Sequence, residues 1–205
     1  MQELIRAACL CPVREYHGNI QTLMVRRSFW NYLKNRPMKF PGEWVFAGGK
    51  YDHESDNGSP LFQTGEREFR EELDYKGEIT LIGPLLTGNF NGNGHPGDKT
   101  PHRLGFYAVK IEDDPLFNIL DKGEVMQAYW FYPIQAWNYL KSDSFDREQG
   151  ILLNLLQEQH PGHEIHELQV PYATIRTLEI LAENESLLLS TCLNQPASQP
   201  HASLR

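Results

Sequence analysis

Residues 65 to 73 read Gly65-Glu66-Arg67-Glu68-Phe69-Arg70-Glu71-Glu72-Leu73. On an α-helix Glu68, Glu71 and Glu72 stand at i, i+3 and i+4, so three carboxylates share one face. Phe62, Phe69 and Leu73 fall on another face, about 120° round at roughly 100° per residue. One side suits a core and the other suits a cation. Like charges at this spacing cost a few tenths of a kcal/mol per pair, and Arg67 relieves part of that cost by reaching Glu71 at i+4. A divalent metal would relieve the rest. The plain alternative is a solvated acidic face, the common fate of charge runs.

The residues upstream favour the metal. Gly48-Gly49-Lys50 follows the apolar run Trp44-Val45-Phe46-Ala47, so the expected order is strand, glycine turn, loop and acidic helix, with backbone groups beside the carboxylates. Arg67 to Glu72 resembles the R-E-hydrophobic-x-E-E centre of the Nudix box, whose pattern is G-x5-E-x7-R-E-U-x-E-E-x-G-U with U a bulky apolar residue. Gly49 matches the first glycine and Tyr75 the last U. There are three departures. The loop from Tyr51 to Gln63 carries about four extra residues relative to that pattern. Asp52, Glu54 and Asp56 compete for the place of the early glutamate, and Asp74 replaces the final glycine.

The resemblance implies a Mg²⁺-dependent pyrophosphohydrolase, with Mn²⁺ as a substitute. Its substrate would be a nucleoside diphosphate linked to another moiety. Glu68 and Glu72 become the principal metal ligands, with Glu71 a further ligand or water partner. The Gly49 carbonyl supplies an extra ligand, because glycine lets backbone approach closely, and Arg67 orients the carboxylates. Some members take their general base from the box and others from a later loop. Glu71 represents the first case here. Glu124, six residues before Trp130, represents the second, its alternative being a turn residue after Gly123. Thr100-Pro101-His102-Arg103, Glu124 through Trp130 and Pro171-Tyr172-Ala173-Thr174 extend the likeness to the branch that includes coenzyme A diphosphatases. Coenzyme A or its thioesters come first as substrate, then ADP-ribose, NADH and nucleotide sugars.

Charge narrows the partners. A formal net charge of -8 over 205 residues argues against a non-specific nucleic-acid binder, whose affinity comes from Lys and Arg on phosphates. Arg26, Arg27, Lys34, Arg36, Lys39 and Lys50 nevertheless crowd a stretch with Glu43 as its only acid. Arg26, Arg27, Lys50 and Arg103 are the expected contacts to a small polyphosphate. Three cysteines make no disulfide framework, and reduced thiols suit a cytoplasmic setting. No segment is apolar enough for a membrane helix. Oligomeric state stays open, a homodimer included. His160, His163 and His166 recur every third residue without a cysteine nearby, a weak zinc pattern. Neither a G-x-S-x-G elbow nor a P-loop is present.

The positioning elements follow from periodicity and breakers. Strands are expected at Leu4 to Val13 and Ile20 to Arg26, with Gly18-Asn19 as the turn between them. Ser59 as N-cap and Pro60 at the first helical position start the acidic helix over about 60 to 74. Further strands are expected at Ile79 to Thr87, Leu104 to Ile111 and Val125 to Tyr132. Helices follow at Pro133 to Leu140, Asp146 to Gln159 and Pro171 to Ala182. Gly88 to Gly97 reads as a mobile loop. The fold class is α/β: a Nudix-type α/β/α sandwich with a mixed sheet and extra C-terminal helices. A single domain covers residues 1 to 184, with a poorly ordered polar tail over 185 to 205. Two alternatives to the enzyme stand: a non-catalytic Nudix-like domain that senses a nucleotide, and an interaction module with a merely solvated acidic helix.

Overall fold

Ile5 to Tyr16 is the organising strand, since a sheet and the acidic helix are both built on it. The computed structural model describes residues 4–31, 35–38, 41–56, 58, 60–91, 100–112, 124–159, 161 and 172–194. In chain order the strands before the acidic helix are β1 (Ile5–Tyr16), β2 (Asn19–Arg27), β3 (Trp30–Asn31), β4 (Arg36–Pro37), β5 (Trp44–Val45) and β6 (Gly48–Lys50). The acidic helix is α1 (Leu61–Leu73), and β7 (Ile79–Asn91), β8 (Pro101–Ile111) and β9 (Val125–Phe131) follow it. The chain continues with α2 (Pro133–Leu140), α3 (Asp143–Gln159), α4 (Tyr172–Glu183) and α5 (Glu185–Asn194).

The sheet is mixed. β1 runs parallel to β8, while β7 and β8, β1 and β2, and β2 and β9 pair antiparallel. Alternating side chains divide into two cores. Leu10, Leu23, Val25 and Val109 pack with Phe69 and Leu73 of α1 on one face. Cys11, Met24, Phe46 and Phe106 pack with Leu178, Leu181 and Leu188 on the other. This is the expected α/β/α sandwich. Gly65 lets α1 lie close to β1, because a Cβ there would stand 3.1 Å from Leu10 and 3.3 Å from Ala8.

The feature that matters most is a fork. β1 and β2 pair only where Val13 to Tyr16 face Thr22 to Asn19. Beyond that point β5 takes over the vacated edge of β2, at Val25 and Arg26, and β6 takes over the edge of β1, from Ala7 to Cys9. The glycines expected to form a turn are therefore a short strand. Gly48 has to be glycine there, as a Cβ would stand 2.6 Å from the Cys9 Cα, against backbone that cannot swing aside.

Several boundaries shift for local reasons. The first hairpin turns at His17-Gly18, one residue early, with φ of 51° and 78°, as a two-residue turn between paired Tyr16 and Asn19 requires. β7 runs on to Asn91, so Gly88 to Asn91, expected as loop, pair with Leu104 to Pro101. Cross-strand bonding overrides the poor strand propensity of glycine and asparagine. α3 starts three residues early because the Ser142 hydroxyl accepts the Phe145 N–H at 3.2 Å, a helix cap. α5 follows α4, with Leu188 buried in the core and Glu185 accepting the Ile20 N–H at 2.9 Å. Among the expectations, Lys34, Lys39, Ser59, residues 92 to 97 of the loop, His160, His163, His166, Pro171 and the tail beyond 194 lie outside the described residues. Among the described residues no helix is long and apolar enough to cross a membrane.

Asp74 ends α1 in the left-handed conformation at φ 49°, its N–H bonded to the Arg70 carbonyl. It does what a C-terminal glycine does, at a steric cost of roughly 1 kcal/mol. Asp74→Gly is expected to stabilise the protein by about 0.5–1 kcal/mol, read as a rise of a few degrees in thermal unfolding; a fall in Tm would contradict this account.

Candidate functional site

Arg67 organises the entrance to the acidic face. Its Nε donates to Asp56 Oδ1 at 3.1 Å and its Nη2 to Asp56 Oδ2 at 3.1 Å, a two-pronged pair. The same guanidinium reaches the Lys50 carbonyl at 3.0 Å, Glu68 Oε1 at 2.9 Å and Glu71 Oε2 at 3.2 Å. Asp56 is 3% exposed and also accepts from Thr64 Oγ1 and the Asp52 N–H. The hydrogen bonds from Arg67 hold its carboxyl below the usual range. Of the three acids competing for the early glutamate's place, Asp56 is the one bonded to Arg67. Asp52 instead accepts from the Glu54 N–H and the Ser55 hydroxyl.

The fork opens into a cleft of about 340 Å³. Glu68 and Glu72 of α1, Gly48 and Gly49 of β6, Arg27 at the end of β2 and Glu124 just before β9 all line it. Ala173 and Thr174, in the first turn of α4, close the far side. The Glu68 carboxylate lies in the space that a Cβ on Gly49 would occupy, and Glu72 accepts the Gly48 N–H at 3.0 Å. Burial pushes Glu72 up to about 8, opposed by Arg27 and the Gly48 N–H and reinforced by Glu68 and Glu124. Burial raises Glu68 as well, against the pull of Arg67. Cys9, on the cleft wall, is pushed up to about 12, first by burial and then by Glu72, so it stays a thiol at neutral pH.

These residues fit a divalent cation. The donors are hard oxygens, two of their carboxylates are destabilised as anions, and the missing side chain of Gly49 leaves backbone accessible beside them. As the side chains stand, Glu68 is held by Arg67 and Glu72 by Gly48. No three acidic, histidine or cysteine side chains meet at ligand distances among the described residues.

The other expected site residues divide. Lys50 lines the cleft beside Arg27. Glu71, with its side chain 59% exposed, sits on the solvent side of Arg67 and is not among the cleft residues. Arg26 is ion-paired to Glu148 at 2.8 Å and lines a different cavity. Arg103 is exposed, because alternation along β8 sends His102, Leu104 and Phe106 into the cleft instead. Glu43 and His102 also line the cleft, without an expected role. Glu43 is 1% exposed, and its signal was being the sole acid in a basic stretch. His102 is buried, and its Nδ1 donates to the Thr100 carbonyl at 2.7 Å. Its signal was two-residue alternation into a strand.

The fold, though not the site's side chains, can be compared with solved structures. The NUDIX domain of NrtR from Shewanella oneidensis, solved with ADP ribose, superposes with a TM-score of 0.50 at 14% identity, covering 90% of each chain. A NUDIX hydrolase from Nitrosomonas europaea gives 0.52 at 10% identity, covering 89% of this chain and 91% of that one. A MutT NUDIX hydrolase from Burkholderia pseudomallei gives 0.50 at 14%, covering 88% and 99%. The chain has the Nudix fold. No family model matches the sequence, and no curated protein matches it either. In this Nudix-fold chain the likeness is carried by backbone, at identities where few side chains are shared.

Glu72 provides a pH test. Its folded pKa lies above the unfolded value of about 4.3, so the folded state keeps a proton that the unfolded chain releases, and stability falls as pH rises from about 4.3 to about 8. In EDTA, Glu72→Gln is expected to be more stable than wild type at pH 8, by on the order of a few kcal/mol, with the difference closing towards pH 5. Thermal unfolding at several pH values checks this, and a difference flat with pH would refute the burial account.

Proposed function

We propose that this chain is a Mg²⁺-dependent Nudix-type pyrophosphohydrolase acting on a nucleoside diphosphate joined to another moiety. The supporting observation is that Glu68, Glu72 and Glu124 share one cleft with Arg27, Lys50 and the Gly48-Gly49 backbone. Anionic oxygens for a cation and fixed positive charges for phosphates stand together, as phosphoryl transfer requires. The fold shared with NUDIX hydrolases supports the same reading.

Glu68, Glu72 and the Gly49 carbonyl would hold the ion, for which Mn²⁺ can substitute. When bound, it supplies charge neutralisation at the phosphates. Arg67 holds Glu68 in register through Asp56. Arg27 and Lys50 bind the diphosphate. Among the described residues Arg27 Nε is buried without a hydrogen-bond partner, a donor suited to a phosphate oxygen. Glu124 takes the proton of the attacking water as a P–O bond to the leaving phosphate breaks, and Glu71, out on the rim, is the weaker candidate for that role. Coenzyme A and its thioesters come first as substrate, followed by ADP-ribose, NADH and nucleotide sugars. ADP ribose is the ligand in the Shewanella domain. Three free cysteines agree with a cytoplasmic setting.

The second reading is a non-catalytic nucleotide sensor, since a cleft that binds a nucleoside diphosphate need not cleave it. Turnover separates the two. Purified protein is assayed against coenzyme A, ADP-ribose, NADH, nucleotide sugars, dinucleoside polyphosphates and nucleoside triphosphates, with Mg²⁺ or EDTA. Metal-dependent cleavage of one compound is expected, reduced by about 10²-fold or more in Glu72→Gln, the scale of losing an electrostatic catalytic group. Gly49→Ala is expected to cut kcat with little change in Tm, because the atoms it displaces are the movable end of Glu68. Saturable binding with no turnover would put the sensor in front.

A further inference from the structure

A second cavity, of about 360 Å³, lies outside the acidic cleft, on β2, β5, β9 and α2. Trp44 of β5, Tyr129 and Phe131 of β9 and Tyr139 of α2 form its walls, with Arg26 of β2 and Gln127 at its edge. The alternation that sends Arg27 into the cleft sends Arg26 here, so the two cavities share β2 and β5 and draw on adjacent residues.

The walls are held in place. Trp44 meets Phe131 edge to face at 5.0 Å, and Tyr129 meets Phe131 at 4.9 Å. The Arg26 guanidinium stands 5.8 Å from the Trp44 ring centre, and its Nε and Nη2 bond the Gly42 carbonyl and Glu148. Glu148 in turn accepts the Tyr139 hydroxyl at 2.6 Å. Glu148 thus neutralises Arg26, which removes the attraction for a phosphate while leaving a flat cationic surface over the rings. Tyr129 contributes nothing to the core, being 61% exposed, and the Gln127 amide beside it presents both a donor and an acceptor. Aromatic faces, a neutralised guanidinium and one amide are the partners that a planar nitrogen heterocycle recruits, by stacking on its faces and hydrogen bonding along its edge. The volume falls within the range of small-molecule sites.

We propose that this aromatic cavity binds the planar base of a nucleoside. The same chemistry has two sources, the base of the compound processed in the acidic cleft or a separate nucleotide. The inference does not depend on the hydrolase reading, since stacking needs neither the metal nor turnover.

Adenosine, guanosine, cytidine and uridine are titrated into the full chain in EDTA, with binding followed by calorimetry. Tyr129→Ala removes an exposed ring without opening the core, and Glu72→Gln alters only the acidic cleft. Saturable binding of at least one nucleoside is expected, weakened tenfold or more in Tyr129→Ala and retained in Glu72→Gln. Failure of all four to bind, or binding indifferent to Tyr129→Ala, would overturn the proposal. The source is read from turnover of whichever compound the acidic cleft cleaves. A KM raised at unchanged kcat in Tyr129→Ala assigns the base to that compound, and unchanged kinetics alongside lost nucleoside binding assign it to a second ligand. If no compound is turned over, the nucleoside titration alone still decides the proposal.

Discussion

Arg67 stands where the loop, the glycine strand and the acidic helix meet, and its guanidinium is bonded to all three. Asp56 belongs to the loop, the Lys50 carbonyl to β6, and Glu68 and Glu71 to α1. Because an arginine fork has fixed geometry, satisfying Asp56 with two parallel bonds sets the plane in which the remaining donors point. Asp56 is nearly fully buried, so its charge is tolerable only while that pairing is intact. Thr64 and the Asp52 N–H complete its shell. The relation of α1 to Gly49 rests on this node as much as on the apolar contacts of Phe69 and Leu73.

The fork imposes the second constraint. A continuous sheet between β1 and β2 would leave no room for α1 carboxylates to meet backbone from β6. Their divergence past Val13 leaves two unpaired edges, and the chain from Trp44 to Lys50 satisfies first one and then the other. In doing so it brings Gly48 and Gly49 to the ends of Glu72 and Glu68. The result is locally unfavourable, with one carboxylate raised to about 8 by burial and like charges around it. The favourable burial lies elsewhere, in the two cores on either side of the sheet. Local conflict inside an otherwise consistent fold is the pattern of a site under functional demand.

β2 and β5 serve both cavities. Arg26 and Arg27 are neighbours of one type with different fates. Arg26 is bonded to Glu148 and Gly42 and stacked near Trp44, while Arg27 lines the cleft with Glu72 and, among the described residues, keeps its Nε without a hydrogen-bond partner. Charge counting along the chain treats them alike, and only the strand's alternation separates them.

The sequence alone determined the elements whose signal is local. The spacing of Glu68, Glu71 and Glu72 against Phe69 and Leu73 made α1 a two-faced helix, and Pro133 opened α2 at the expected residue, because helical periodicity and proline stereochemistry act within a few residues. The sandwich followed from the order of such elements. What depended on distant partners was not legible. Gly48 to Lys50 became a strand only because β1 offered an edge, and Gly88 to Asn91 left the expected loop because β8 paired with them. Asp56 was one acid of three until a helix eleven residues further on presented Arg67. Glu43 and His102 entered the cleft, and Glu71 stayed on its rim, through strand register and helix rotation, which tertiary packing alone decides. Chemistry carried by spacing along one element could be read from the chain, and chemistry assembled between elements needed the fold.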